Sequence, residues 1–377
     1  MRILLLGEAS WVHFNLRKGL RELGHDVTLI SNGNNFRNIP RDIDIARDLK
    51  WGKLGGLKVL WTLLRNIRKL CGNDIVQIHN YQFVTLSMKW NERIIRFLKH
   101  HNRCLVKCCL GDDPQILNMQ LDGIPKYSDM YWNGKPQNIE QNKERIEEQN
   151  APECVECWKV ATECSEALLP CLYEYYMAYD VEPFNKKLYY APLPITIADE
   201  KGKKIKGISL PIKVLVGVQR SREYMKGALK IAEFVEEVSR RNPGKISITY
   251  AENVPYGEYC RMLDATDVQV DQFYSYTPSM NSLAAMARGT VVIGGGEEEA
   301  YEFIGEKELR PIINVSPENS FDENVEIIEK ALLTPGNVKQ LSKESILYAR
   351  KHNDYRIVSK QYESIYMKLL SVRNACQ

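Results

Sequence analysis

The sequence has no long apolar run, no strong excess of one charge and no low-complexity tract. No apolar stretch approaches the ~18 residues that a membrane-spanning helix needs, and the run Met1–Gly7 ends too early to be a signal peptide. The 51 basic residues stand against 48 acidic ones, so the net charge is only +3, which gives no general case for nucleic-acid binding. We therefore expect a cytoplasmic protein without a nucleic-acid partner.

The ten cysteines are scattered through a chain of 377 residues, which is long enough to fold without disulfide bridges. Cys154 and Cys157 have a metal-like spacing, with Cys164 and Cys171 further along the chain. Structural zinc sites usually combine two such pairs, but this sequence offers one, and Cys171 lies in a helix-like segment. The sequence therefore predicts reduced cysteines and no metal site.

Strand-like and helix-like segments alternate along the chain, and the length favours two domains. This alternation is typical of a parallel sheet that is covered by helices on both faces. The rigid segment Pro192-Leu-Pro194 precedes a predicted domain boundary near 195–208. We expect a first domain over 1–197, with the polar stretch 122–150 as an excursion within it, and a second domain over 205–353.

A basic segment follows the first predicted strand of the second half. It runs from Gly217 to Gly227 and contains Arg220, Arg222 and Lys226. Because the start of a helix attracts anions and nearby cations add to that attraction, this segment could hold a diphosphate. An ordinary solvated basic loop is the alternative interpretation.

Two further segments in the second half could contact a ligand. In Ser275–Asn281, Thr277 is the predicted N-cap and Pro278 the first helical residue, so Ser279, Met280 and Asn281 could offer amides to phosphate. The alternative is a capped helix of the core. In the second segment, Gly294-Gly-Gly allows close approach of the backbone to a ligand, and the glutamates 297–299 could bond sugar hydroxyls. The alternative there is a flexible loop.

In this order the three segments resemble the C-terminal domain of retaining glycosyltransferases of the GT-B fold, family-4 type. Arg220 or Arg222 and Lys226-Gly227 match the element that holds the donor diphosphate, and Ala285-Met-Ala-Arg-Gly289 matches the family's helix. The family's ribose-binding glutamate falls on Ala284 and its upstream partner on Tyr276, so Asn281 or a nearby glutamate would have to substitute. The family's Pro-Glu element falls near Glu298-Glu299, which would contact the donor sugar or nucleotide.

The N-terminal half resembles these enzymes at Ile3–Gly7, Leu23–Val27 and Leu110–Asp113. The resemblance places Gly7, His13, Asp112 and Asp113 on the acceptor side, where their polar groups would orient hydroxyls. Two alternatives remain open from the residues themselves. His13 could be structural, and Asp112 and Asp113 could cap a helix that starts near Pro114.

The resemblance implies two Rossmann-like domains facing a cleft, with a closing helix over about 354–377 that crosses back to the first domain. It implies a hexosyltransferase type of enzyme that moves a sugar from a nucleotide sugar to a glycan or lipid-linked acceptor, with retention, in surface polysaccharide assembly. Arg220 and Lys226 would stabilise the leaving diphosphate without a metal or another cofactor. A non-catalytic nucleotide-sugar-binding subunit and a nucleotide-sugar 2-epimerase are the alternatives.

A basic helical segment with an apolar stripe follows Trp51. The stripe consists of Leu57, Leu60, Leu64, Ile67 and Cys71, and lysines and arginines flank it. The first interpretation is a domain helix whose stripe faces the core. The alternative is a helix that lies in the interface of the inner membrane surface, where a lipid-linked acceptor would be found.

Overall fold

The computed structural model describes residues 1–34, 37–197, 208–252 and 254–375. The chain forms two compact units, and neither is continuous in sequence. The first unit comprises Met1–Asn118, Glu144–Ile195 and Tyr355–Gln377, and the second comprises Met119–Lys143 and Thr196–Asp354.

Thirteen strands are present in the described part of the chain. In chain order they are β1 Arg2–Leu6, β2 Asp26–Ser31, β3 Ile43–Asp44, β4 Ile75–Ile78, β5 Cys104–Cys109, β6 Tyr131–Trp132, β7 Lys135–Pro136, β8 Ala167–Pro170, β9 Ile212–Val218, β10 Ile246–Glu252, β11 Val268–Val270, β12 Val291–Gly294 and β13 Ile312–Asn314.

Sixteen α-helices accompany the strands in the same described residues. They are α1 Val12–Glu22, α2 Gly52–Arg65, α3 Ile67–Leu70, α4 Met88–His101, α5 Pro114–Leu121, α6 Lys143–Asn150, α7 Pro152–Cys164, α8 Tyr173–Tyr179, α9 Glu223–Lys226, α10 Ala228–Arg241, α11 Tyr256–Asp264, α12 Met280–Met286, α13 Glu298–Phe303, α14 Phe321–Leu333, α15 Asn337–Asn353 and α16 Tyr355–Ala375. None of them is long and apolar enough to cross a bilayer.

The first unit is built on a six-stranded parallel sheet in the order β3-β2-β1-β4-β5-β8. Its central strand β1 is covered on both faces, and Ile3, Leu4, Leu5 and Leu6 have no exposed surface. Such continuous apolar runs are what a parallel sheet between two helical layers requires. The order of the strands reverses direction between β1 and β4.

The closing helix α16 packs in the first unit against α1. Gly19 of α1 lies where any side chain would overlap Ser359 of α16, so the glycine permits close approach of the two helices. The Tyr366 hydroxyl donates to Gln77 Oε1 at 2.5 Å. Val358 and Tyr362, two residues of the predicted stripe, are fully buried.

The second unit contains a five-stranded parallel sheet in the order β10-β9-β11-β12-β13. Apolar residues of its strands form one core with the inward faces of α10 and α14, including Val216, Ile231, Val235 and Ile328. Here the strand order reverses between β9 and β11.

Part of the stretch that we predicted as an excursion of the first domain packs in the second unit instead. Residues 119–143 belong there, because Tyr127 is buried against Tyr276 and bonds Glu297. The unit boundary falls between Ile195 and Thr196. The predicted second domain begins at 205, which lies outside the described residues.

The stripe of α2 does not face the core of the first unit. Leu57 is 58% exposed and Leu64 is 62% exposed, whereas the buried face of α2 consists of Gly55, Gly56, Val59 and Leu63. The core interpretation of the stripe is therefore wrong. Gly55 and Gly56 explain why, since their small size lets the opposite face of the helix lie close to Arg47, Asp48 and Leu86.

Candidate functional site

Each sheet has one point where the strand order reverses, and the carboxyl ends of the strands at that point form a natural binding site in open α/β sheets. In the second unit the reversal lies between β9 and β11. The segment after β9 carries Lys226, and Asp271 directly follows β11. The candidate site is built around these two residues.

Lys226 is fixed at the end of a compact turn. A 3-10 turn at Arg220–Arg222 leads into the one-turn helix α9, and Gly227 then adopts a left-handed backbone with φ of 64°. A Cβ on Gly227 would lie 2.9 Å from the Cβ of Phe273, so glycine is needed at this position. The Phe273 amide donates to the Lys226 carbonyl at 2.7 Å and ties this turn to the loop after β11.

The N-terminus of α10 already holds an anion from its own chain. Glu223 Oε1 accepts a hydrogen bond from the Leu229 amide at 2.6 Å. Burial raises the pKa of Glu223, while the nearby Lys226 ammonium acts in the opposite direction. The predicted anion-binding start of this helix is thus occupied by a carboxylate.

Asp271 joins Lys226 to the start of α12. It is 9% exposed and accepts a hydrogen bond from the Ser282 hydroxyl. Burial raises the pKa of Asp271, and the hydrogen bond from Ser282, the Lys226 ammonium and Asn281 oppose that rise. The structure therefore brings three elements together: the turn after β9, the loop after β11 and the first turn of α12.

Asn281 is held by a second set of polar contacts. Its Nδ2 donates to the Tyr259 hydroxyl at 3.1 Å, and that hydroxyl also accepts from Gln269 Nε2 at 3.0 Å. Gly217 of β9 leaves room for the Tyr259 ring, whose hydroxyl oxygen would lie 3.4 Å from a Cβ there. Asn281 is therefore held by Tyr259 of α11, which is itself held by Gln269 of β11.

The helix after Thr277 starts two residues later than predicted. Ser279 is the N-cap residue of α12 and Met280 its first residue. The Ser279 hydroxyl accepts from Gln272 Nε2 at 3.3 Å, which draws it toward the loop after β11. Asn281 lies beside Asp271, and Ser279 and Met280 form the start of the same helix, which no side chain caps.

Arg220 points to a different partner. Its Nε lies 2.5 Å from Glu252 Oε1 and its Nη2 lies 2.9 Å from Glu252 Oε2, at the end of the edge strand β10. The side chain is 71% exposed. Arg222 in the same turn is also exposed. The carboxylate of Glu252 therefore holds the Arg220 guanidinium at the sheet edge.

The glycines after β12 serve the packing of the chain itself. A side chain on Gly295 would overlap the Ser275 carbonyl, and a Cβ on Gly296 would lie 2.9 Å from Ile312. The Gly296 amide donates to Asn314 Oδ1 at 2.8 Å. The backbone approaches the neighbouring loop closely at these glycines, whereas we predicted a close approach to a ligand.

The three glutamates after these glycines each bond within the second unit. Glu297 Oε1 accepts from the Tyr127 hydroxyl at 2.7 Å. Glu298 pairs with Arg310, which lowers the pKa of Glu298, and Glu299 pairs with Lys126. The side chain of Glu298 is 59% exposed and that of Glu299 is 34% exposed, so both carboxylates are held near the surface.

In the first unit the reversal of strand order places Gly7 and His79 side by side. Gly7 follows β1 with φ of 79°, and a side chain on it would overlap the His79 ring. His79 follows β4, and its Nδ1 is buried and has no hydrogen-bond partner among the described residues. Burial lowers the pKa of His79 to about 4.

His13 is a buried residue of this core. Its Nδ1 lies 2.8 Å from the Gly7 carbonyl, and its Nε2 lies 3.1 Å from Gln77 Nε2. Since the Gln77 amide donates, His13 carries its proton on Nδ1. Burial, and then His79, lower the pKa of His13 to about 3. Both ring nitrogens are in use and the residue has no exposed surface, so the structural alternative describes His13 and we do not propose it as an acceptor contact.

Sequence reasoning missed Glu8, which directly follows Gly7. Its Oε2 accepts from the Phe14 amide at 2.8 Å and its Oε1 from the His13 amide at 3.3 Å, at the start of α1. Burial raises the pKa of Glu8 to about 7, against these backbone hydrogen bonds. The signal available in the sequence was an acidic residue directly after the glycine that ends the first apolar run.

Asp112 and Asp113 differ in their surroundings. Asp113 has no exposed surface: it pairs with the buried Lys107 at 2.9 Å, and its Oδ1 accepts from the Ile116 amide at 3.0 Å. It therefore caps α5, as the alternative interpretation predicted. Asp112 is partly exposed and forms two hydrogen bonds of 2.7 Å with Arg145.

The described residues contain no group of three His, Cys, Asp or Glu side chains that could hold a metal ion. Cys154 and Cys157 are buried on α7 as free thiols. Burial raises the pKa of Cys157 to about 12, so this thiol is protonated at neutral pH.

No protein-family model matches the chain, and no curated protein matches it in sequence. Solved structures match nearly all of it. Sucrose-phosphate synthase from Thermosynechococcus elongatus has a TM-score of 0.59 at 11% identity, covering 99% of this chain and 100% of that chain. WaaG, a glycosyltransferase involved in lipopolysaccharide biosynthesis, has a TM-score of 0.55 at 11% identity, covering 96% and 99%. A glycosyltransferase from Rickettsia africae has a TM-score of 0.54 at 12% identity, covering 98% of both chains.

This chain has the GT-B fold. The predicted fold class, an α/β protein with two Rossmann-like domains, is confirmed. Numbered within each sheet, the strand orders are 3-2-1-4-5-6 and 2-1-3-4-5, two doubly wound orders that each have one reversal point. At identities of 11% and 12% the likeness concerns the fold.

Proposed function

We propose that this GT-B protein is a glycosyltransferase that moves a sugar from a nucleotide sugar to a glycan or lipid-linked acceptor. The observation that carries the proposal is the grouping of Lys226, Asp271, Asn281 and Ser282 at the reversal point of the second sheet. One cation, one buried carboxylate and two polar side chains meet there, at the edge where α/β sheets bind nucleotides. The resemblance of the same segment to donor-binding glycosyltransferases points to the same ligand.

Lys226 is the residue to which we assign the donor diphosphate. Negative charge develops on that group as the sugar leaves, and a fixed ammonium stabilises it without reorganisation. The short helix, the left-handed Gly227 and the bond from Phe273 hold the backbone of Lys226 in place. Asp271 orients the ammonium, and Gly227, Ser279, Met280 and Asn281 complete the proposed diphosphate site.

The proposed reaction is a substitution at the anomeric carbon of the donor sugar. The bond from that carbon to the phosphate oxygen breaks, and the diphosphate leaves with the electron pair. The acceptor hydroxyl oxygen bonds to the same face of the carbon, and its proton passes to the departing phosphate oxygen. This route retains the anomeric configuration and requires neither a protein nucleophile nor a metal, because Lys226 supplies the positive charge.

The remaining roles form part of the proposal. Arg220 and Arg222 would assist the diphosphate after Arg220 leaves Glu252, and Glu298 and Glu299 would contact the donor sugar or nucleotide. On the acceptor side we retain the backbone at Gly7 and the partly exposed Asp112. An acceptor of surface polysaccharide assembly, carried by a lipid at the inner membrane surface, would suit this set of roles.

A second candidate function is a non-catalytic subunit that binds a nucleotide sugar. It is favoured by Tyr276, which stands where the resemblance expects an acidic residue and is buried against Tyr127 instead. Ala284 likewise offers no ribose contact. Such a protein would keep the diphosphate site but lack part of the donor sugar site.

The experiment that tests the first function combines binding with turnover. Purified protein is screened by thermal shift against nucleoside diphosphates and nucleotide sugars, since a ligand bound to the native state raises the melting temperature. Release of nucleoside diphosphate is then measured with the ligand that binds. We expect Lys226→Ala to lower turnover by about 100-fold or more, with the fold intact by circular dichroism.

Lys230→Ala is the matched control for Lys226→Ala. Lys230 lies one turn along in α10, is exposed and donates to the Tyr274 hydroxyl. We expect this variant to turn over at the wild-type rate. Full turnover by Lys226→Ala would refute the proposed role, and nucleotide binding without turnover on any acceptor would support the second function.

A further inference from the structure

Helix α2 exposes an apolar face to solvent. Leu54, Leu57, Trp61 and Leu64 are between 58% and 66% exposed. Just before the helix, Leu49 and Trp51 are 71% and 58% exposed. Single exposed apolar residues are ordinary on a protein surface, but a contiguous patch of this kind marks an interaction site.

The exposed face lies opposite the face that packs in the first unit. At 3.6 residues per turn, the four exposed side chains of α2 fall within an arc of about 80°. The buried residues Gly55, Val59 and Leu63 fall on the other side of the helix. Because these residues make the core contacts, the bulky apolar side chains of the exposed face are not needed to fix the helix in the fold.

Positive charge borders this face. Between Leu49 and Leu70 the sequence has six basic residues and no acidic one, and all six are exposed: Lys50, Lys53, Lys58, Arg65, Arg68 and Lys69. On α2 itself, Lys53 lies on one side of the apolar arc and Lys58 and Arg65 lie on the other. The Lys58 ammonium also lies 5.7 Å from the centre of the Trp51 ring.

We propose that α2 and the turn before it, Leu49–Arg65, bind the surface of an anionic lipid bilayer. Leucine and tryptophan side chains would enter the boundary between headgroups and acyl chains, with the helix lying in the plane of the membrane. The flanking lysines and arginines would contact lipid phosphates. Trp51 and Trp61 suit this depth because their rings combine an apolar body with a polar N–H group.

The charge pattern favours a bilayer over a second copy of this chain. Two copies joined through this face by a two-fold axis would bring their basic borders together, and like charges at an interface oppose association. An anionic membrane instead complements both the apolar centre and the basic border. The surface goes beyond the proposed reaction, since it needs neither nucleotide nor acceptor.

Vesicle flotation of the full chain tests whether this surface binds anionic membranes. Vesicles of phosphatidylcholine alone are compared with vesicles that contain about 30% phosphatidylglycerol, at low and at physiological salt. We expect binding to the anionic vesicles, weaker at higher salt because salt screens the charges. The double variant Leu57→Ser, Trp61→Ser should reduce the bound fraction at least ten-fold.

The matched control is the double variant Trp90→Ser, Leu347→Ser. It also removes one tryptophan and one leucine side chain, but from exposed positions outside the patch. We expect this variant to bind vesicles like the wild type. Exchange of Lys53, Lys58 and Arg65 for glutamine should abolish the preference for anionic lipid. Thermal unfolding of each variant without vesicles shows whether the fold is intact.

Two results would overturn the proposal. One is absence of wild-type binding to anionic vesicles at low salt. The other is a wild-type dimer that becomes monomeric in the double variant without any vesicle binding, which would assign the face to a second copy. Nucleotide thermal shift in the absence of lipid should be the same for the double variant and the wild type. Membrane binding and nucleotide binding are thus measured separately, so that the membrane proposal and the proposed transfer reaction can be refuted independently.

Discussion

Tyr127 stacks on Tyr276 with ring centroids 4.6 Å apart and ring planes 17° from parallel, although 149 residues separate them in sequence. The Tyr276 hydroxyl accepts from the Tyr127 amide at 3.1 Å, and the Tyr127 hydroxyl donates to Glu297 at 2.7 Å. One residue from the first half of the chain thereby fixes two loops of the second unit. Tyr276, which replaces an acidic residue of the resembled family, is part of that anchor.

Tyr127→Phe should therefore destabilise the second unit. The ring stacking survives, but a buried hydrogen bond to a carboxylate is lost, which typically costs about 2 kcal/mol. Tyr250→Phe is the control, because Tyr250 bonds Glu236 at an exposed position and is itself 43% exposed. Chemical denaturation should show a loss for Tyr127→Phe several times larger than that for Tyr250→Phe, and equal losses would contradict the anchoring role.

Glu252→Gln tests whether Arg220 serves the diphosphate. If it does, removing the carboxylate that holds Arg220 should tighten the binding of a nucleoside diphosphate by a few-fold, because the guanidinium no longer has to leave an ion pair. Calorimetric titration measures this directly. The same exchange in a chain that carries Arg220→Ala should have no effect, and a lack of effect in the wild-type background would assign Arg220 to the sheet edge alone.

Gly295→Ala should destabilise the second unit by about 3 kcal/mol or more, because the new methyl group would overlap the Ser275 carbonyl in a packed region. Gly257→Ala is the matched exchange. A Cβ at Gly257 meets nothing within 4 Å, and alanine in a helix gains up to about 1 kcal/mol over glycine. Melting temperatures of the two variants should shift in opposite directions, and a neutral Gly295→Ala would rule out the close packing of this loop.

Glu8→Gln should change how stability depends on pH. The folded pKa of Glu8 is raised to about 7 from 4.5, so the folded state binds a proton more tightly than the unfolded state does. The stabilisation from this proton is complete below pH 4.5 and is lost as pH rises through 7. The penalty on the ionised form corresponds to about 3 kcal/mol.

The wild type should therefore lose stability relative to Glu8→Gln between pH 5 and pH 8. Denaturation of both proteins at the two pH values gives the difference. The lowered pKa values of His13 and His79 act on both proteins alike and cancel in this comparison, since their contribution falls as pH drops below 6.5 in each. A difference that does not vary with pH would show that Glu8 is ionised throughout.

The sequence predicts the alternation of strands and helices well, because buried parallel strands leave continuous apolar runs such as Ile3–Leu6, which ends at Gly7. It does not predict Asp271, since a single acidic residue after a strand gains meaning only when the fold brings Ser282 and Lys226 beside it. For the same reason it leaves two roles open for His13, a contact with the acceptor and a structural role.

Helix α2 shows a different limit of prediction from sequence. It has apolar side chains on two faces, and periodicity alone cannot tell which face packs. The choice depends on Gly55 and Gly56, whose small size determines the closest approach to the rest of the unit. The polar stretch 122–150 was predicted as part of the first domain, but residues up to 143 belong to the second unit, where Tyr127 bonds Glu297.

The chain passes between the two units four times, at residues 118–119, 143–144, 195–196 and 354–355. A gene fragment that ends at the central junction would therefore encode neither half in full. It would lack α16 and would carry Tyr127 without the loops that shelter it. Separate expression of one unit thus requires rejoining distant segments with linkers, and the two halves cannot be exchanged with those of another protein by a single cut.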